Sequence, residues 1–166
     1  MERRELFNVL SSSMTEVFRE NQNDKLVVIR PPYHTDTNAF VAECQNCHAE
    51  CASLCQEQII FIKEDKTPFL DLSKGGCTYC DECAVACPSD ILLVKNKNKI
   101  YAEIVINRDK CLSWQGIMCF SCKEPCLEDT IDFKAMFMPQ INDKCTSCGF
   151  CISRCPADAI DILKVC

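Results

Sequence analysis

"CTSCGFCISRCPADAIDIL" (residues 145–163) sets Cys145, Cys148, Cys151 and Cys155 at intervals of three, three and four, with Pro156 directly after the last. Three thiols within seven residues let one tight loop wrap three corners of an iron–sulfur cubane. The fourth points away, and in such runs it serves the cluster of a second loop. "CTYCDECAVACPSDILLV" (77–94) repeats the spacing residue for residue, with Cys77, Cys80, Cys83, Cys87 and Pro88. Structural zinc is the competing reading, but zinc knuckles supply two cysteines per turn with a longer loop before the next pair. Iron–sulfur fits the pattern better.

Two looser copies complete a fourfold internal repeat. "CQNCHAECASLCQEQIIFI" (44–62) carries Cys44, Cys47, Cys51 and Cys55, with one extra residue between the second and third cysteines and Gln56 in place of proline. The extra residue is expected to form a loop bulge, and His48 within it to be an exposed loop residue and not an iron ligand. "CLSWQGIMCFSCKEPC" (111–126) keeps Cys119, Cys122 and Cys126 in phase but puts seven residues between Cys111 and Cys119. A longer first loop is expected to bring Cys111 back, with Trp114 and Ile117 covering the cluster from water, since cluster potential depends on solvent exposure. Decay would more readily delete a cysteine than preserve four. The sequence therefore implies four 4Fe–4S clusters, or three if the Cys111–Cys126 unit is empty. After each final cysteine comes a polar step with an acid or its amide, then an isoleucine-led strand.

Loop lengths suggest how the units pair. Eighteen residues separate Cys126 from Cys145 and twenty-one separate Cys55 from Cys77, the compact spacing of a two-cluster unit. Sequential pairing would group Cys44, Cys47 and Cys51 with Cys87, and Cys77, Cys80 and Cys83 with Cys55. It would likewise group Cys111, Cys119 and Cys122 with Cys155, and Cys145, Cys148 and Cys151 with Cys126. A nested pairing, first unit with fourth and second with third, is the alternative.

The whole chain agrees with this reading. Seventeen of 166 residues are cysteine, a density at which cysteine chemistry takes over from a hydrophobic core. The net charge of −6 argues against nucleic acid or an anionic membrane as partner. Arg3-Arg4 is followed by no apolar run of signal-peptide length, and nothing approaches a membrane span, so a cytoplasmic, reduced protein is expected. Leu6, Phe7, Leu10, Met14, Val17 and Phe18 form one stripe of an amphipathic helix over residues 3–20. "LVVIR" (26–30) reads as a short strand and "PPY" (31–33) as an extended segment, while "KEDKTP" and "KNKNK" read as turns between strands. The expected fold class is α+β: tandem ferredoxin-like two-cluster units at 41–106 and 107–166, with short hairpins and helices, behind an N-terminal helical arm at 1–40. Cys166, in no quartet, is not expected to be a ligand.

These features resemble the NapF-type ferredoxins that accompany periplasmic nitrate reductase. The likeness runs from Arg3-Arg4 through "RPPY" (30–33) and the four units in order, and the tryptophan-containing segment 111–122 is its most specific piece. The resemblance implies a cytoplasmic protein that meets the catalytic molybdenum subunit of that reductase before export, in electron supply or cofactor maturation. Family descriptions count three clusters, those of units one, two and four. The residues themselves point to an electron carrier working with other redox proteins and not to an enzyme, because all-cysteine ligation leaves no open iron. The alternatives are a wiring subunit of a larger oxidoreductase and an assembly chaperone whose clusters are structural.

Overall fold

The computed structural model describes residues 28–163; the helix expected over residues 3–20 and Cys166 lie outside them. Every regular element in the described part is short. The helices are α1 (Ala39–Glu43), α2 (Glu50–Ser53), α3 (Glu82–Val85) and α4 (Phe150–Ser153). The strands are β1 (Ile60–Ile62), β2 (Pro68–Leu70), β3 (Glu103–Ile106), β4 (Ile131–Lys134), β5 (Phe137–Ile141) and β6 (Ile160–Leu163). They pair only in antiparallel twos, β1–β2, β3–β6 and β4–β5.

The cysteine spacing dictates this shortness. Each of α2, α3 and α4 starts one residue before the third cysteine of its unit, entered through a left-handed residue: Ala49 (φ 62°), Asp81 (φ 68°) and Gly149 (φ 92°). A second left-handed residue stands three positions after every fourth cysteine: Gln58 (φ 53°), Asp90 (φ 53°), Asp129 (φ 47°) and Asp158 (φ 45°). This is the polar step of the sequence repeat. Aspartate tolerates that conformation better than most side chains because its short polar group bonds locally. At three of the four, the amide of the left-handed residue returns to the carbonyl of the cysteine, as in Gln58 to Cys55 at 3.0 Å.

In the second half of the chain, the strands frame the units as a closed pair. β4 and β5 form the hairpin between units three and four, while β3 and β6 join the flanks, Glu103 opposite Leu163 through Ile106 opposite Ile160. The first half has the corresponding hairpin, β1–β2, with the "KEDKTP" turn at its tip. Its flanking pair does not form a sheet. The segment 28–33 lies in that place, but Pro31 and Pro32 have no amide hydrogen to contribute to a ladder. Isolated bonds remain, Leu93 N–H to Tyr33 O (3.0 Å) and Asn98 N–H to Pro32 O (3.0 Å). The isoleucine-led strand therefore follows units one, three and four but not unit two, where residues 91–93 are irregular. The strand expected at "LVVIR" is likewise absent over its described residues 28–30, and "KNKNK" (95–99) forms no hairpin, its first two residues closing a 3-10 turn (Val94–Asn96).

Within residues 28–40, Ile29, the segment 31–34 and Phe40 are buried against the body, while residues 35–38 are exposed. Pro31, Pro32, Tyr33 and Phe40 are fully buried, and Ile29, Tyr33 and Phe40 join Leu70, Leu72 and Ile100 in the first hydrophobic cluster. Arg30 lies over the Phe40 ring at 5.1 Å and donates to Thr67 Oγ1 at 2.7 Å and to Pro68 O. Buried His34 donates from Nδ1 to Pro31 O at 2.6 Å, and burial holds its pKa below the ordinary histidine value. A boundary at 40/41 would cut α1, and one at 106/107 would separate β3 from β6. The chain divides more naturally just before Glu103.

Helices of four or five residues and two-stranded sheets are too short to be stable alone. We expect iron chelation in air to collapse the circular dichroism spectrum and abolish cooperative thermal unfolding. A cooperative native transition after complete iron loss would contradict this dependence.

Candidate iron–sulfur sites

The sixteen cysteines of the four units come together as four sets, each taking three thiols from one unit and the fourth from its neighbour. Cys77, Cys80 and Cys83 line one cavity with Cys55. Cys111, Cys119 and Cys122 line a second with Cys155, and Cys145, Cys148 and Cys151 a third with Cys126. The three cavities are lined alike, each by four cysteines and by apolar neighbours such as Ile60, Ile160 and Ile141. The last set comprises Cys44, Cys47, Cys51 and Cys87, whose thiols are mutual electrostatic neighbours. This is the sequential grouping of units, not the nested one. Among the described residues no three Cys, His, Asp or Glu side chains converge on a single metal-ion position. Sulfurs spread around a cavity suit a cubane better than a lone zinc ion, which draws its ligands to about 2.3 Å from one point.

Burial makes the more enclosed of these thiols poor acids. Loss of water pushes Cys51, Cys83 and Cys151 up to about 12, and Cys77 and Cys122 up to about 11, with neighbouring sulfurs adding to the effect. At neutral pH these five thiols keep their protons when unloaded, so loading a metal group releases them. Backbone amides are aimed at the sulfurs in advance: Tyr79 to Cys77 (3.4 Å), Ser147 to Cys145 (3.4 Å), Thr130 to Cys126 (3.3 Å) and Ala159 to Cys155 (3.3 Å). Such donors stabilise sulfur that has lost its proton, and hydrogen bonds to sulfur are among the factors that set cluster potential. Tyr79 and Ser147 occupy matching positions between the first two cysteines, both left-handed. Thr130 and Ala159 both stand four residues after a fourth cysteine. These donors are not legible in the sequence, because backbone amides leave no residue-type signature.

Unit three resolves as a built loop. After Cys111 the chain makes a short turn that ends in a Schellman motif: Gly116 N–H bonds Ser113 O (3.2 Å) and Ile117 N–H bonds Leu112 O (3.0 Å). Gly116 holds the left-handed position that this motif needs, at φ 81°. The reversal consumes the extra residues and brings Cys111 back beside Cys119 and Cys122. The shielding residues differ from those expected. Leu112 and Pro139 line the cavity, whereas Ile117 is 55% exposed. Trp114 acts at one remove, donating from Nε1 to Pro139 O at 3.2 Å, with the Arg108 guanidinium 4.5 Å above its ring.

Unit one absorbs its extra residue as a bulge ahead of left-handed Ala49. The His48 side chain there is 92% exposed. The set is less regular than the others, because the Cys47 thiol donates to the Glu50 carboxylate at 3.1 Å.

The comparisons with known proteins agree with the cysteine chemistry. The family model for the 4Fe–4S binding domain matches residues 138–161, from within β5 through unit four into β6. The ferredoxin-type protein NapF of Escherichia coli K12 is 30% identical over 137 residues, covering 80% of this chain and 82% of its own. NapF of Haemophilus influenzae is 30% identical over 153 residues, covering 89% and 86%. The ferredoxin-type protein NapG of Escherichia coli K12 is 25% identical over 166 residues, covering 84% and 71%.

The built loop at unit three is open to direct test. Cys111→Ser is expected to lower bound iron by about one to four atoms per chain, as one 4Fe–4S site is lost or converted. Unchanged iron would make the loop a scaffold.

Proposed function

Because the chain belongs to the NapF family of ferredoxin-type proteins, we propose that it serves the catalytic molybdenum subunit of periplasmic nitrate reductase in the cytoplasm, before that subunit is exported. It is an iron–sulfur electron-transfer protein and not an enzyme. Its part is electron supply or cofactor maturation. Bound in these sites, each 4Fe–4S cluster supplies a one-electron redox centre. The chain contributes thiolates, amide donors to sulfur, and an apolar lining that excludes water.

Four clusters are proposed, in two ferredoxin-like units. Their ligands are Cys44, Cys47, Cys51 and Cys87; Cys55, Cys77, Cys80 and Cys83; Cys111, Cys119, Cys122 and Cys155; and Cys126, Cys145, Cys148 and Cys151. The observation that carries this reading is the likeness of the three cavities in their lining, each with three cysteines of one unit and the fourth of its neighbour, unit three included.

A second reading, a permanent wiring subunit of a larger oxidoreductase, draws support from large apolar side chains left exposed, among them Val85 (74%) and Met118 (61%). A carrier would associate transiently, whereas a wiring subunit would co-elute at fixed stoichiometry.

The stripe of the helix expected over residues 3–20 gives the partner a contact. Since Ile29 and Arg30 pack into the body, the deletion that separates contact from cluster binding ends at residue 27. Removing residues 1–27 is expected to weaken binding to the unexported catalytic subunit while the visible absorption of the clusters persists. Full affinity in the truncated chain would contradict this assignment.

A further inference from the structure

The two halves of the described chain meet at one loop. Among the described residues, four hydrogen bonds join residues up to 102 with residues beyond 106, and all four end on Thr146, Ser147 or Cys148. Cys77 N–H donates to Cys148 O (2.7 Å), Ile100 N–H to Thr146 O (3.1 Å), Tyr79 Oη–H to Thr146 O (2.6 Å), and Ser147 Oγ–H to Ala102 O. A cysteine of the second unit's set is thus bonded, main chain to main chain, to a cysteine of the fourth unit's set.

Two glycines flank this contact, and each is required by it. A Cβ on Gly76 would fall 2.6 Å from the backbone nitrogen of Phe150 and 2.6 Å from its ring. Backbone cannot swing aside as a side-chain tip can. A Cβ on Gly149 would fall 2.8 Å from Leu72, and Gly149 also holds φ 92°. Neighbouring Gly75 differs, since its Cβ would meet Ile59 at 3.4 Å, an ordinary contact. Tyr79 secures the junction, its hydroxyl donating to Thr146 O while accepting from Ile100 N–H at 3.1 Å.

We infer that Gly76 and Gly149, with Tyr79, are positioning residues that hold the second and fourth cluster sites in direct contact, so that the two halves work as one electron-transfer unit. Within each half the sets already adjoin: α2 packs on α3, so that Cys51 neighbours Cys83, while Cys122 and Cys151 share the second hydrophobic cluster. The sites therefore run in the spatial order one, two, four, three, and the sequence order is not the order of neighbours. The sites of units one and three are the two ends. This rests on the reading that the sixteen cysteines hold clusters.

The test uses the full-length loaded protein. Gly76→Ala adds one methyl group at the junction; Gly75→Ala is the matched control; Tyr79→Phe removes only the bridging hydroxyl. Iron is counted in each. A substoichiometric pulse of reductant, followed by freeze-quenched electron paramagnetic resonance, then tracks how fast the electron redistributes among the sites. With iron retained, Gly76→Ala is expected to slow redistribution several-fold, Tyr79→Phe to slow it less, and Gly75→Ala to leave it unchanged. Wild-type redistribution in both Gly76→Ala and Tyr79→Phe at full iron content would overturn the inference. Equal slowing in Gly75→Ala would also overturn it, since the effect would not belong to the junction. A wild-type protein lacking the expected iron would instead refute the cluster reading beneath it. If Gly76→Ala cannot be loaded, Tyr79→Phe decides the matter alone.

Discussion

Each fourth cysteine abandons its own loop for the neighbouring unit, and this exchange is the constraint on which the rest of the structure depends. A unit can complete its own set of thiols only when its neighbour is folded, so the sites and the packing between units form together. The exchange also explains why so little regular structure suffices. The four short helices and three two-stranded sheets of the described residues have no independent stability. Clusters held by thiols drawn from two units would provide the cross-links that a chain of this size otherwise draws from a larger apolar core.

Unit three shows how far the repeat bends without losing that exchange. Seven residues between its first two cysteines open a gap that a tight turn must close, and the Schellman motif at Leu112–Ile117 closes it. The tryptophan ties the loop to β5 through Pro139, whose other face lines the cavity. Unit one tolerates its smaller insertion by a bulge that leaves α2 in phase with α3 and α4. In both units the insertion precedes the third cysteine, so the residues that cross to the neighbour keep their place.

The sites were more legible in the sequence than the fold was. Cysteine spacing marked out the four units and the exposed position of His48, whereas loop lengths only favoured the sequential grouping of thiols and left the nested one open. The acid or amide after each unit was visible as a pattern, but its meaning as a left-handed residue at Gln58, Asp90, Asp129 and Asp158 came from the backbone. Pro31 and Pro32 were read as marking an extended arm. In the structure they fill the flank of the first half, and their missing amide hydrogens keep that flank from becoming a sheet. Ile117 and Trp114 were expected over the cluster because they are large and apolar. The turn geometry instead directs Ile117 outward and gives Trp114 a backbone partner. The junction at Gly76 and Gly149 left no signal, because a glycine kept for close approach looks like any loop glycine until its neighbour is known.

The count of iron and acid-labile sulfide per anaerobically purified chain tests the central claim most directly. Four complete sets of cysteines predict about sixteen of each, four per cluster. A reproducible value of about twelve, unchanged after reconstitution with excess iron and sulfide, would contradict the account and leave one of the four thiol sets without a cluster.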